Sequence, residues 1–164
     1  MWHCLFKIEE RARSAEYVKK VTSAYRRAAN AVQEGRYTPE LALELKNELS
    51  EVFNRGFWDG YYMGAKLGEW SKVYGSKATK KKRYVGKITN YFSKLNVAEV
   101  LIEAGELSVG DNILVIGPST GVHEQVVEEI RVDLEPAQKA EKGTLCSIPF
   151  PVKLRRSDKI YIFS

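Results

Sequence analysis

Lys7, Glu9, Arg11 and Arg13 follow a short apolar run and precede a helical pattern. Such a junction is where α/β proteins collect ligand-binding groups. Arginine there suits bidentate recognition of a carboxylate or phosphate. The same residues read equally well as a charged strand end that pairs internally, Lys7 or Arg11 with Glu9 or Glu10. A second concentration of charge is Lys77, Lys80, Lys81, Lys82 and Arg83. Residues 1–83 hold 17 Lys/Arg against 10 Asp/Glu, and residues 84–164 hold 9 against 11, so the net of +5 comes from a first half at +7 and a second at −2. Clustered positive charge attracts phosphate backbones or acidic surfaces. Its alternative is a solvated linker.

Other chemistry is poorly supplied. His3 and His123 are the only histidines, and Cys4 and Cys146 the only cysteines. Adjacency does not make Cys4 and His3 a catalytic dyad, because geometry across the fold decides that. Two Cys and two His without ligand spacing make no metal site. Gly117-Pro118-Ser119-Thr120-Gly121 lacks the lysine and helix of a phosphate-binding loop and reads as a turn. His123 lies in an alternating strand pattern and reads as structural. No catalytic residue and no metal ligand is therefore assigned. The cysteines match no CxxC pattern and read as free thiols in a reducing compartment, which points to the cytoplasm. No stretch reaches the ~18 apolar residues of a membrane helix, and residues 1–7 show no signal-peptide pattern.

The elements that would carry these groups fall into two parts. Residues 3–8 read as a short strand. Ser14 then caps a helical pattern with Tyr17, Val18, Val21, Ala24, Tyr25, Ala28 and Val32 on one face and Gly35 as its stop. Thr38-Pro39 opens a second helix with the stripe Leu41, Leu45, Leu49 and Val52. Residues 54–75 interleave glycines with Phe57, Trp58, Tyr61, Tyr62, Trp70 and Tyr74. Those rings read as core cover or as a platform for stacked bases. Residues 76–83 read as a basic linker. From 84 onward the period becomes two, and strands are expected over 84–92, 96–103, 111–117, 122–132, 144–149 and 158–163. Gly105, Gly110, Gly117-Pro118, Gly121, Glu135-Pro136 and Lys142-Gly143 separate them. Six short strands suggest a small closed barrel, which leaves no exposed edges.

Several blocks together resemble a known family. Lys7-Ile8-Glu9-Glu10-Arg11, Arg13-Ser14 and Tyr17-Val18 form the first block, and Asn54-Arg55-Gly56-Phe57 with Gly60-Tyr61-Tyr62 and Gly64 the second. The third runs through Val85-Gly86-Lys87-Ile88, Ala98-Glu99-Val100, Gly105-x-Leu107-x-Val109-Gly110-Asp111, Gly117-Pro118-x-Thr120-Gly121 and Asp158-Lys159-Ile160-Tyr161. Together they resemble the C-terminal portion of the collagenase-like peptidase U32 family. The resemblance implies an end piece of an α/β-barrel domain followed by a β-barrel similar to the second domain of elongation factor Tu. It implies a hydrolase, or a part of an iron–sulfur-dependent RNA hydroxylation enzyme. The family's cluster cysteines lie in the large barrel domain, and neither Cys4 nor Cys146 matches them, so no cofactor is expected in this chain. Lys7, Glu9, Arg11 and Arg13 would face the family's site, although Glu10 replaces the family's glycine.

The combined expectation is an α+β chain: residues 1–75 a helical remnant, 76–83 a linker, and 84–164 a six-stranded barrel. One strand and one helix cannot close an eight-stranded α/β barrel. The expected role is a non-catalytic accessory module that binds RNA or a partner protein, with an active peptidase as the alternative. Candidate contacts are Lys7, Glu9, Arg11, Arg13, Arg55, Lys80, Lys81, Lys82 and Arg83. Candidate partners are a catalytic N-terminal barrel domain or subunit, RNA, and a second copy held through Trp2, Leu5 and Phe6. No membrane partner is expected.

Overall fold

A computed structural model describes residues 7–8, 13–52 and 82–163. The chain divides into two compact units, residues 1–80 and 81–164. The glycine-aromatic segment, most of the expected strand at 3–8 and residues 76–81 of the linker lie outside the described residues.

In the first unit, α1 spans Ala15–Gln33 and α2 spans Pro39–Ser50. Ser14 is the N-cap of α1 by position, but its side chain makes no capping bond. The far end is a Schellman motif. Gly35 sits at φ +67°, with Gly35 N–H bonded to Val32 O at 3.2 Å and Arg36 N–H to Ala31 O at 2.8 Å. That left-handed turn needs glycine. Thr38 caps α2, its Oγ1 accepting from Leu41 N–H at 3.3 Å, and Pro39 occupies the first turn. The two helices face each other through Val21, Ala24, Ala31 and Leu45, all buried. The expected stripe of α1 is corrected at its end: Val32 is 62% exposed and Ala31 takes its place. Ala31 lies seven residues beyond Ala24 and so keeps to the inner face, while one more residue rotates Val32 by about 100°. Arg27 spans to Glu44 and Glu48 at 2.5 Å each, and Lys20 pairs with Glu51, which fixes the antiparallel register.

The second unit is antiparallel β. Its strands are β1 Lys82–Phe92, β2 Val97–Ile102, β3 Glu106–Ser108, β4 Asn112–Gly117, β5 Gly121–Val126, β6 Ile130–Val132, β7 Glu135–Ala137, β8 Lys139–Glu141, β9 Leu145–Pro149 and β10 Lys159–Phe163. Eight form one sheet in the order β5-β4-β10-β1-β2-β9-β6-β7, and β3 pairs with β8. The segments flanking opposite edges of the sheet meet. Val109 N–H, just ahead of β4, bonds to Gln138 O, just after β7, at 2.9 Å. Ile113 and Val115 of β4 share one core with Ile130 of β6 and Ile148 of β9. In a flat sheet β4 and β6 would stand about 24 Å apart, five strand spacings. The sheet therefore curls on itself, barrel-like, and β3–β8 closes the gap.

The α+β class and helix-then-sheet order are as expected. The six expected strands are all present, with 122–132 broken into β5 and β6, and β3, β7 and β8 are additional. Three-residue strands are too short to display alternation. Lys82 and Arg83 belong to β1 rather than to a linker, because they pair with Phe163 and Ile162.

Candidate ligand groove

The interior of the β unit is filled. Val85, Ile88, Val100, Ile102, Leu107, Ile113, Ile130, Ile148, Phe150 and Ile160 are buried, and Asp158 is the one buried charge among the described residues. Thr120 Oγ1 donates to Asp158 Oδ2 at 2.6 Å and Arg155 N–H donates to the same oxygen at 2.8 Å. A Cβ at Gly117 would lie 1.9 Å from Asp158 Oδ1, so only glycine leaves room for this carboxylate. Blocks 117–121 and 158–161, far apart in sequence, are thus two halves of one latch.

That latch holds the crossover from β9 to β10. Phe150 N–H bonds to Asn96 O at 2.8 Å, Tyr91 Oη donates to Phe150 O at 2.8 Å, and Ser157 N–H bonds to Ile88 O at 2.8 Å. Leu154 is buried between these ties, which leaves Lys153, Arg155 and Arg156 exposed on either side of it. None of the three cations forms an ion pair among the described residues. Beside them β1 carries a bulge against β2 between Ile88 and Asn90. A bulge adds a residue and re-aims side chains. Thr89 and Asn90 consequently both face the crossover, together with Glu99, the cross-strand partner of Asn90. Thr89 Oγ1 donates to Glu99 Oε1 at 2.6 Å, and Asn90 Oδ1 accepts from Tyr91 N–H at 2.9 Å. The result is an open groove of about 800 Å³ between the bulge and the basic crossover. It holds three cations, one carboxylate that pairs with none of them, and the free amide donors of Asn90.

The residues expected from the sequence are distributed otherwise. Lys7 is exposed and Arg13 half-buried, both ahead of α1. Glu9, Arg11, Arg55, Lys80 and Lys81 lie outside the described residues. Lys82 Nζ stands 4.9 Å above the Tyr161 ring, and Arg83 lines a shallow surface with Gly105, Glu106, Glu141 and Lys142. Lys82 and Arg83 start β1 while the groove lies near its far end, roughly 20 Å along the strand. The sequence reading passed over Lys153, Arg155 and Arg156. Their signal was visible as Lys-Leu-Arg-Arg between two strand patterns, but it lay in the half with negative net charge.

Tyr84 and Tyr161 stack edge to face at 5.6 Å, and Tyr84 Oη donates to Glu103, whose other oxygen meets Lys87 Nζ at 2.6 Å. Burial, and then the hydrogen bond and charge of Glu103, push the Tyr84 phenol up to about 12. Cys146 is buried in the apolar core, which pushes its thiol up to about 11. Among the described residues no three His, Cys, Asp or Glu converge as metal ligands, and no helix is long and apolar enough to cross a membrane.

Comparison with known proteins bears on what this groove serves. The model described as Peptidase family U32 matches residues 3–72. A collagenase of Porphyromonas gingivalis is 54% identical over 159 residues, covering 97% of this chain and 38% of the relative. Over residues 3–72 the chain matches peptidase family U32. An uncharacterized protease of Methanocaldococcus jannaschii is 32% identical over 160 residues, 96% of this chain and 39% of that protein. The chain thus spans about two fifths of the length of these relatives. Among solved structures, the C-terminal domain of a Geobacillus thermoleovorans U32 peptidase superposes with TM-score 0.46 and 17% identity over 48% of this chain and 90% of that domain.

Proposed function

We propose that the β unit is a non-catalytic binding module of a peptidase family U32 protein, and that it holds RNA by its phosphates for a separate catalytic part. The observation that carries this reading is the rigid crossover with Lys153, Arg155 and Arg156 exposed and unpaired. Cations without intramolecular partners keep their full field for a polyanion. A filled apolar interior supports binding at the surface rather than chemistry in an enclosed pocket. The loop is tied at both ends, so little ordering entropy is lost when a ligand arrives.

The test is affinity for transfer RNA as a function of salt. Three phosphate contacts to single-stranded segments predict a slope of log K against log salt of about −2. Neutralising Lys153, Arg155 and Arg156 together should remove most of that slope. Affinity that stays flat between low and moderate salt would end the RNA reading.

A second reading is favoured by the 54% identity to a protein named collagenase. In it, the whole protein hydrolyses collagen and this unit positions the polypeptide. Saturable binding of denatured collagen by the purified chain, with no salt-dependent RNA affinity, would put this reading first.

A further inference from the structure

The groove contains a feature that phosphate binding does not call for. Glu99 lies among Lys153, Arg155 and Arg156, yet it forms no ion pair with any of them. A site that attracted only phosphates would lose affinity by carrying a carboxylate. Here the carboxylate is oriented from behind by the Thr89 hydroxyl at 2.6 Å. Asn90 stands directly across the strand pair from Glu99, which puts their Cβ atoms roughly 5 Å apart. The Asn90 carbonyl accepts from Tyr91 N–H, which holds the amide in place with its N–H groups available as donors. The bulge in β1 is what brings Thr89, Asn90 and Glu99 to one face.

We propose that this groove reads an unpaired guanine base, with the Glu99 carboxylate accepting from its N1–H and N2–H groups and the Asn90 amide donating to its O6. The crossover cations hold the flanking phosphates. The inference rests on the RNA reading above and adds a base specificity to it. Guanine alone presents two neighbouring donors followed by an acceptor on its pairing edge. Adenine and cytosine offer one donor beside a ring nitrogen lone pair, which a carboxylate repels. Uracil offers one donor between two carbonyl oxygens. A base in a duplex has this edge occupied, so the ligand is a single-stranded or looped segment, the form in which RNA sequence is ordinarily read. An open groove of about 800 Å³ admits a nucleotide with its neighbours.

The experiment compares binding of the full chain to a short uridine-rich RNA carrying one central guanosine and to the same RNA carrying inosine or adenosine. Inosine keeps N1–H and O6 and lacks only the N2 amino group. The guanosine RNA should bind roughly tenfold tighter than either, the discrimination a good two-bond base contact gives. Glu99→Gln should erase the guanosine preference while keeping the salt dependence, and Lys153→Ala with Arg156→Ala should weaken all three RNAs alike. Equal affinity for guanosine, inosine and adenosine RNAs, with a steep salt slope retained, would overturn the guanine site and leave the phosphate reading standing. No salt-dependent binding to any of them would overturn both. The inosine comparison needs no protein variant, so misfolding cannot obscure the outcome.

Discussion

Asp158 shows how one residue can carry much of a local architecture. Its carboxylate is 2% exposed, accepts from Thr120 and Arg155, and fills the space that Gly117 leaves open. Asp158→Ala strands both donors in a buried site. We expect a loss of about 2–3 kcal/mol in urea denaturation. We also expect weaker RNA binding, because the crossover that carries Arg155 loses its tie. A stability change under about 0.5 kcal/mol, the range of ordinary surface substitutions, would show that the carboxylate is not the latch. Tyr84 makes a second residue-scale prediction. Its folded phenol titrates near 12, above the ordinary value near 10. Between those values the unfolded chain gives up this proton and the folded chain keeps it. Tyr84 thus contributes stability that is present below about pH 10 and lost as pH rises toward 12. Tyr84→Phe should flatten the alkaline loss of stability, and the wild-type phenolate absorbance should show a late-titrating tyrosine that the variant lacks.

At the scale of elements, short local signals fix where helices begin and end. Thr38 and Pro39 start α2, and Gly35 ends α1 through a left-handed turn. Thr38→Ala should cost about 1 kcal/mol, seen as a lower thermal midpoint with helix content retained at low temperature. Thr38→Ser should restore it. The helices were legible because their stripes run over several turns. Strands β1, β2, β4, β9 and β10 were legible because five or more residues show the alternation. Strands β3, β7 and β8 were not, because three residues form no pattern, and the pairing of β3 with β8 joins distant parts of the chain. The bulge at Thr89 escaped for a similar reason: it is defined by the register of β1 against β2, not by the residues of β1 alone.

For the whole molecule, charge summed along the chain and charge met in space give different answers. Residues 84–164 are net negative, yet they present Lys153, Arg155 and Arg156 together without partners. Several of their acidic residues are engaged elsewhere: Glu103 on Lys87 and Tyr84, Glu129 on Arg131, Glu106 and Glu141 on Lys139. The salt slope for RNA belongs to this scale, since it counts cations left over after internal pairing. The α+β class, both helices, most strands and the likeness to the family were legible along the chain, because these depend on periodicity, turn chemistry and motif order that stay readable in one dimension. Only the tertiary structure decided that blocks 117–121 and 158–161 form one latch, that β1 bulges beside a basic crossover, and which charges remain unpaired. Those are contacts between residues distant in the chain, and closing the sheet is what brings them together.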